Sequence, residues 1–189
     1  ILCSKKYSLN LIQLIESASN HWLKLLPELK IDAFNLTFEL LEFLRQRIIN
    51  LLEEEGLDSD LVHSVAGSGV VIDQILADPV DTRLRANLLM KMRRNGKLSA
   101  VQAVVTRATR LAEKGDLPVN ILGATEHIKR ELFEKSSEEE MLVVLNNLEP
   151  IAKSSSSERY QDLADGLIAG SNILANFFDG ENSVMVMTD

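Results

Sequence analysis

A chain of 189 residues suits one helical domain of ordinary size with a small appendage, and 46% apolar with 25% charged residues can form a core, which excludes disorder. A single cysteine, Cys3, excludes an internal disulfide framework and a Cys-rich zinc site, and no run of ~18 apolar residues exists to cross a membrane. The net charge of −8 argues, on average, against a polyanionic partner.

Taken in order, the chain starts at Ile1-Leu2-Cys3 with neither an initiator Met nor the ordered layout of a signal peptide, and reads as a segment of a longer protein. Leu11, Ile12, Leu14, Ile15, Trp22, Leu25 and Leu26 mark a first helical stretch ended by Pro27. Residues 36–55 form the clearest helix, with Leu36, Leu40, Leu41, Phe43, Leu44, Ile48, Leu51 and Leu52 at spacings of three and four and Gly56 as the stop. Asp58 caps a segment carrying Leu61, Val62, Val65, Ile72, Ile75 and Leu76, interrupted by Gly67 and Gly69 and closed by Pro79.

Helices are then expected over 81–94, behind Asp81 and before Asn95-Gly96, and over 99–114, from Ser99 to Gly115. An extended stretch with Pro118 and Gly123 leads to a short helix at 125–135. Ser136 and Ser137, each with a glutamate three residues on, open a helix that runs to about Asn147. Pro150 and Ser154–Ser157 read as a loop, a last helix covers 158–177, and Val184–Met187 is a short apolar end. No segment alternates as a strand does. The fold class is therefore all-α, a bundle of about seven or eight helices, divided into an N-terminal helical segment at 1–30 that continues an upstream domain and a helical domain at 31–189.

The average charge hides an asymmetry. Between Asp81 and Lys114 lie nine basic residues against two acidic ones, so that window carries +7 and the remainder −15. On the 99–114 helix Val101, Val104, Val105, Ala108, Leu111 and Ala112 make an apolar stripe, while Arg107, Arg110 and Lys114 share another face. On the 81–94 helix Arg83, Asn87, Lys91 and Arg94 line up, with Leu84, Leu88, Leu89 and Met92 inward and Lys97 in the turn that follows. Such a helical hairpin suits phosphates and unpaired bases, because arginine's planar fork makes paired hydrogen bonds and its face stacks on bases. A solvated face, or ion pairs to the acidic remainder, is the plain alternative.

No catalytic or metal site is expected. His21, His63 and His127 lie far apart, Gly67-Ser68-Gly69 lacks the strand and third glycine of a dinucleotide loop, and Glu138–Glu140 is charge suited to a helix N-terminus.

Several stretches resemble a known family. Tyr7-Ser8-Leu9-Asn10-Leu11 with Leu14-Ile15-Glu16 resembles the L-D-L-x-x-L-I segment of bacterial glycyl-tRNA synthetase β subunits, which follows a motif ending in Ile-Leu, here Ile1-Leu2. Residues 41–47 (Leu-Glu-Phe-Leu-Arg-Gln-Arg) are similar to that family's L-x-x-F-x-x-x-R helix, and Asp60–Val65 to its D-x-I-x-A-V step. Arg107–Leu111 is similar to K-R-V-x-N-I, and Leu132-Phe133 with Glu138 to L-F-x-x-x-x-E. Phe177-Phe178-Asp179 followed by Val184–Met187 resembles the ending F-F-D-x-V-M-V-M, here lengthened by Gly180–Ser183.

The resemblance implies a C-terminal, DALR-like helical anticodon-binding domain of an α2β2 glycine–tRNA ligase. Its ligand would be the anticodon arm of glycine tRNA, with no role for DNA or a membrane. Its partner would be the α subunit, which uses ATP and Mg to activate glycine, with no cofactor in this chain. The location implied is the bacterial cytoplasm, or an organelle such as a plastid. Arg107 falls on the family's arginine; Arg110, Lys114, Arg83, Lys91, Arg94 and Lys97 complete the expected tRNA-binding set. The other readings are a helical subunit-docking module and the related anticodon-binding domain of an arginyl-tRNA synthetase.

Overall fold

The computed structural model describes residues 7–28, 32–113, 125, 128–156 and 158–179. Among them are nine α-helices and no strand: α1 Leu11–Leu25, α2 Ala33–Glu54, α3 Ser59–Ala66, α4 Asp73–Leu76, α5 Pro79–Arg94, α6 Leu98–Ala112, α7 Ser136–Lys153, α8 Arg159–Ala169 and α9 Ser171–Asp179. The all-α expectation holds. The chain forms two compact units, residues 1–91 and 92–189, with the boundary inside α5. Among the described residues no helix is long and apolar enough to cross a membrane.

The first unit is organised by α2. Asp32 starts it, its Oδ1 accepting from the backbone N–H groups of Phe34 at 3.0 Å and Asn35 at 3.2 Å. Gly56 ends it with φ 86°, a left-handed geometry, and the chain folds back so that Leu57 N–H donates to Leu52 O at 3.2 Å. Between these ends Leu41, Ile48, Ile49 and Leu52 bury against α3, which contributes Leu61, Val62, Val65 and Ala66, and against Ile75 and Leu76 of α4. Full burial of Leu52, Val62, Ile75 and Leu76 is worth about 1.5–3 kcal/mol apiece over leaving them in water. α1 packs along the other flank of α2, capped by Asn10, whose Oδ1 accepts from Gln13 N–H at 3.0 Å.

The single segment expected over α3 and α4 is divided by the 67–70 loop. Buried Arg45 of α2 holds that loop, its Nη1 donating to Gly67 O at 2.7 Å and Val70 O at 3.1 Å. The glycines therefore lie in a backbone turn closed by a guanidinium through Gly67 O and Val70 O. α5 starts two residues earlier than Asp81. Pro79 takes the first helical position, where a missing N–H is harmless, and the Asp78 carboxylate accepts from Val80 N–H at 3.0 Å. Its buried stripe is Thr82, Ala86 and Met90, with Met92 beyond, rather than Leu84, Leu88 and Leu89, which are half-buried.

In the second unit α7 packs on α8 and α9, and both of these pack on α6. Pro150 lies inside α7 and not in a loop: three residues from the helix end it removes one backbone bond, and the helix closes with Ser154 N–H on Ile151 O at 3.1 Å. The expected serine caps are displaced as well. Lys135 is the cap residue, and the Glu138 carboxylate accepts from its N–H and from that of Glu134, both at 2.7 Å. Within the expected helix at 125–135, Arg130–Leu132 form a 3-10 turn, and residues 128–129 and 133–134 are not helical. The expected 158–177 helix breaks at Gly170 into α8 and α9.

Glu149 on α7 receives hydrogen bonds from the Lys153 ammonium and from the Thr125 hydroxyl. Together, Lys153 first, they hold its carboxyl below the usual carboxylate range. A lowered folded-state pKa contributes stability above the ordinary carboxylate pKa, and that contribution is lost as pH falls through the folded value. Lys153→Gln is expected to move the Glu149 titration, followed by carboxyl NMR, up towards the ordinary value, leaving the fold intact at neutral pH.

Candidate nucleic-acid interface

The expected cations fall in both units. In the first, Arg83 is engaged: its Nε lies 2.9 Å from a Glu55 carboxylate oxygen, with both side chains about one-third exposed. Arg85 is clasped more fully. Its Nε lies 3.2 Å from Asp81, and its Nη2 donates to Gln74 O and to the Thr82 hydroxyl. Lys91 stands exposed on α5. The positive window is therefore partly neutralised by local carboxylates, and the alternative of ion pairing is realised at Arg83 and Arg85.

In the second unit Arg94 is exposed at the end of α5, and Gly96, with φ 74°, makes the turn into α6. Lys97 reaches Asp165 of α8 at 3.4 Å, a half-exposed pair worth at most about 1 kcal/mol. Val101, Val104 and Ala108 form the half-buried side of α6, while Val105 is 45% exposed and leaves the expected stripe.

The outer side of α6 carries a strip that spacing explains. Ser99, Gln102, Ala103, Thr106, Arg107 and Arg110 follow one another at steps of three and one, which keeps them on one face, and they border a shallow concavity of about 490 Å³. Arg110 is exposed. Arg107 is half-buried, its guanidinium 5.2 Å from the ring centroid of Phe178 on α9. Phe178 is itself buried and meets Phe177 edge-on at 5.2 Å between centroids. Arg107 thus rests on a ring of α9 and also borders the concavity.

Two of the seven expected cations, Arg107 and Arg110, border that concavity. Lys114 lies outside the described residues, and Arg83, Lys91, Arg94 and Lys97 are placed elsewhere. Sequence reasoning passes over Ser99, Gln102 and Thr106. Their signal is helical spacing among uncharged polar residues, which is harder to see than a run of arginines. Among the described residues no group of three His, Cys, Asp or Glu side chains is placed to hold a metal, and His127 lies outside them.

Fold and strip together define an all-helical domain with a cationic, hydrogen-bonding groove on one helix. The chain is 36% identical over 185 residues, 96% of its length, to the glycine–tRNA ligase beta subunit of Gloeothece citriformis. It is 38% identical over 154 residues to that of Acaryochloris marina and 39% identical over 153 residues to that of a Picosynechococcus species, covering 80% and 79% of this chain. The chain belongs to the glycine–tRNA ligase beta subunit family. It spans about a quarter of the length of these relatives: 25%, 22% and 22% respectively. No protein-family model matches it, and no solved structure does. The matched relatives are glycine enzymes, which sets aside the arginyl-tRNA synthetase reading.

Proposed function

We propose that this chain is the C-terminal, anticodon-recognising part of a glycine–tRNA ligase beta subunit, and that the α6 strip receives the anticodon loop of glycine tRNA. The observation that carries the reading is the strip itself. Two guanidinium groups, two hydroxyls and one amide line a concavity on one helix face, which matches the needs of an unpaired base beside its phosphate. Arg107 and Arg110 contact base edge or phosphate, and Ser99, Gln102 and Thr106 offer the directional donors and acceptors that distinguish one base edge from another.

Arg94, Lys97, Lys91 and Lys114 act as phosphate contacts, which position the RNA without reading it. Arg83 must exchange Glu55 for a phosphate to join them, so its share is the smallest. Aminoacylation belongs to the assembly of two α and two β subunits in the cytoplasm, with glycine, ATP and Mg handled by the α subunit.

The test is binding of this chain to the glycine-tRNA anticodon stem-loop and to an acceptor-stem hairpin of equal charge, over a range of salt. The stem-loop is expected to bind more tightly, with a salt slope that reports phosphate contacts. Equal binding of both hairpins sinks the anticodon assignment.

A further inference from the structure

The first unit carries apolar surface that its own fold does not cover. Among the described residues, nine of the fourteen exposed large hydrophobic side chains fall between Tyr7 and Phe43. On α1, Leu14, Ala18, Trp22 and Leu25 succeed one another at steps of four, four and three, one continuous stripe; Leu14 is 50%, Trp22 60% and Leu25 58% exposed.

On α2 the pattern is sharper. Phe34, Phe38, Leu41, Arg45, Ile48 and Leu52 repeat at four, three, four, three and four, which is a heptad seam. From Leu41 onwards this seam is buried, whereas Phe34 is 84% and Phe38 55% exposed. The same helix face is thus core over its C-terminal half and uncovered over its first two turns. Between the two helices lies an apolar groove of about 300 Å³, lined by Ile15, Ala18, Trp22, Leu26, Leu36 and Leu40 among others.

We propose that these uncovered faces of α1 and α2 are the seat of the part of the β-subunit polypeptide that lies outside the region matched here. Three features select that occupant. The relatives are about four times as long as the region they share with this chain, so each offers a large body of protein on the same polypeptide. A tethered partner is present at high effective concentration, which makes permanent cover of so much apolar surface attainable. The flanks are acidic on balance, with Glu16, Glu28, Asp32 and Glu39 exposed against Lys24, which disfavours an RNA backbone on this face. The contact is separate from the α6 strip and stands whether or not that strip reads an anticodon.

Hydroxyl-radical footprinting, read residue by residue by mass spectrometry, tests it. The chain by itself is compared with a full-length Gloeothece citriformis beta subunit whose matched region is exchanged for this chain, in the absence of α subunit and tRNA. Trp22, Phe34 and Phe38 are expected to oxidise several-fold more slowly in the full-length protein. Phe43, 60% exposed on another side of α2, is the unchanged reference, and unaltered protection of Leu52 and Ile75 shows that the unit is folded. Equal rates in both proteins overturn the proposal. So does protection that arises only when α subunit is added, or protection in the chain alone that grows with its concentration, since these name the α subunit and a second copy as occupants.

Discussion

The double substitution R107A/R110A is expected to weaken binding of the glycine-tRNA anticodon stem-loop by between about thirtyfold and a thousandfold, each arginine carrying roughly 1–2 kcal/mol as a base or phosphate contact. The slope of affinity against salt should become shallower, by about 0.7 for every single-strand phosphate that the variant no longer neutralises. The two single variants separate the roles. Arg110 is exposed, so R110A should leave thermal unfolding unchanged and act on RNA alone. Arg107 rests on Phe178 of α9, so R107A also removes a cation–π interaction worth about 0.5–1 kcal/mol and should lower the melting temperature slightly. Unchanged affinity and slope in the double variant remove this strip from the binding surface.

Loss of Arg45 is expected to destabilise the first unit on the scale of a core truncation. Its side chain is buried, its Nη1 holds the carbonyls of Gly67 and Val70, and its Nη2 lies 3.3 Å from Glu42. Arg45→Ala removes the side-chain donor from the Val70 carbonyl, leaves Gly67 O with the Val70 N–H at 3.0 Å, and deletes the aliphatic stem, a cost of about 3 kcal/mol by the usual worth of charge-assisted bonds and core packing. Arg45→Met keeps the stem and should recover part of that. Urea unfolding of both variants checks the order, and hydrogen exchange should show the 67–70 loop opening first. An Ala variant as stable as the parent would mean that the loop holds itself.

The helical fold is legible because its signals are local. The periodic run of α2, Gly56 after it and Asn95-Gly96 between α5 and α6 depend only on residues a few positions apart. The same local logic misleads where other contacts outweigh it. Pro150 has the look of a stop, yet near a helix end its missing N–H costs little and the chain stays helical. Ser136 and Ser137 have the spacing of capping serines, but Glu138 finds the N–H groups of Glu134 and Lys135 first.

The site is legible in part for a comparable reason. Charge is visible along a sequence, so Arg107 and Arg110 stand out. Pairing is not visible, and nothing local shows that Arg83 meets Glu55 or that Lys97 meets Asp165. The uncovered stripes are hidden too, since Phe34 and Phe38 carry the same heptad signature as the buried Leu41 and Ile48. Periodicity identifies a face that wants cover; only the fold shows whether cover has arrived.

Gly166 in α8 and Gly170 at its end bear on the α6 strip from inside the fold. A β-carbon on Gly166 would come within 2.6 Å of the Leu148 Cδ2 methyl, and one on Gly170 within 2.9 Å of the Val144 Cγ1 methyl, so a side chain at either position makes its neighbour on α7 move. Gly170 is also where α8 gives way to α9, the helix that brings Phe178 beneath Arg107. Two residues with nothing to offer a ligand thus act like shims under a workbench: thicken either one, and the guanidinium several turns away is presented at a different height. Drift at Gly170 or Val144 would be felt at Arg107, which neither residue touches.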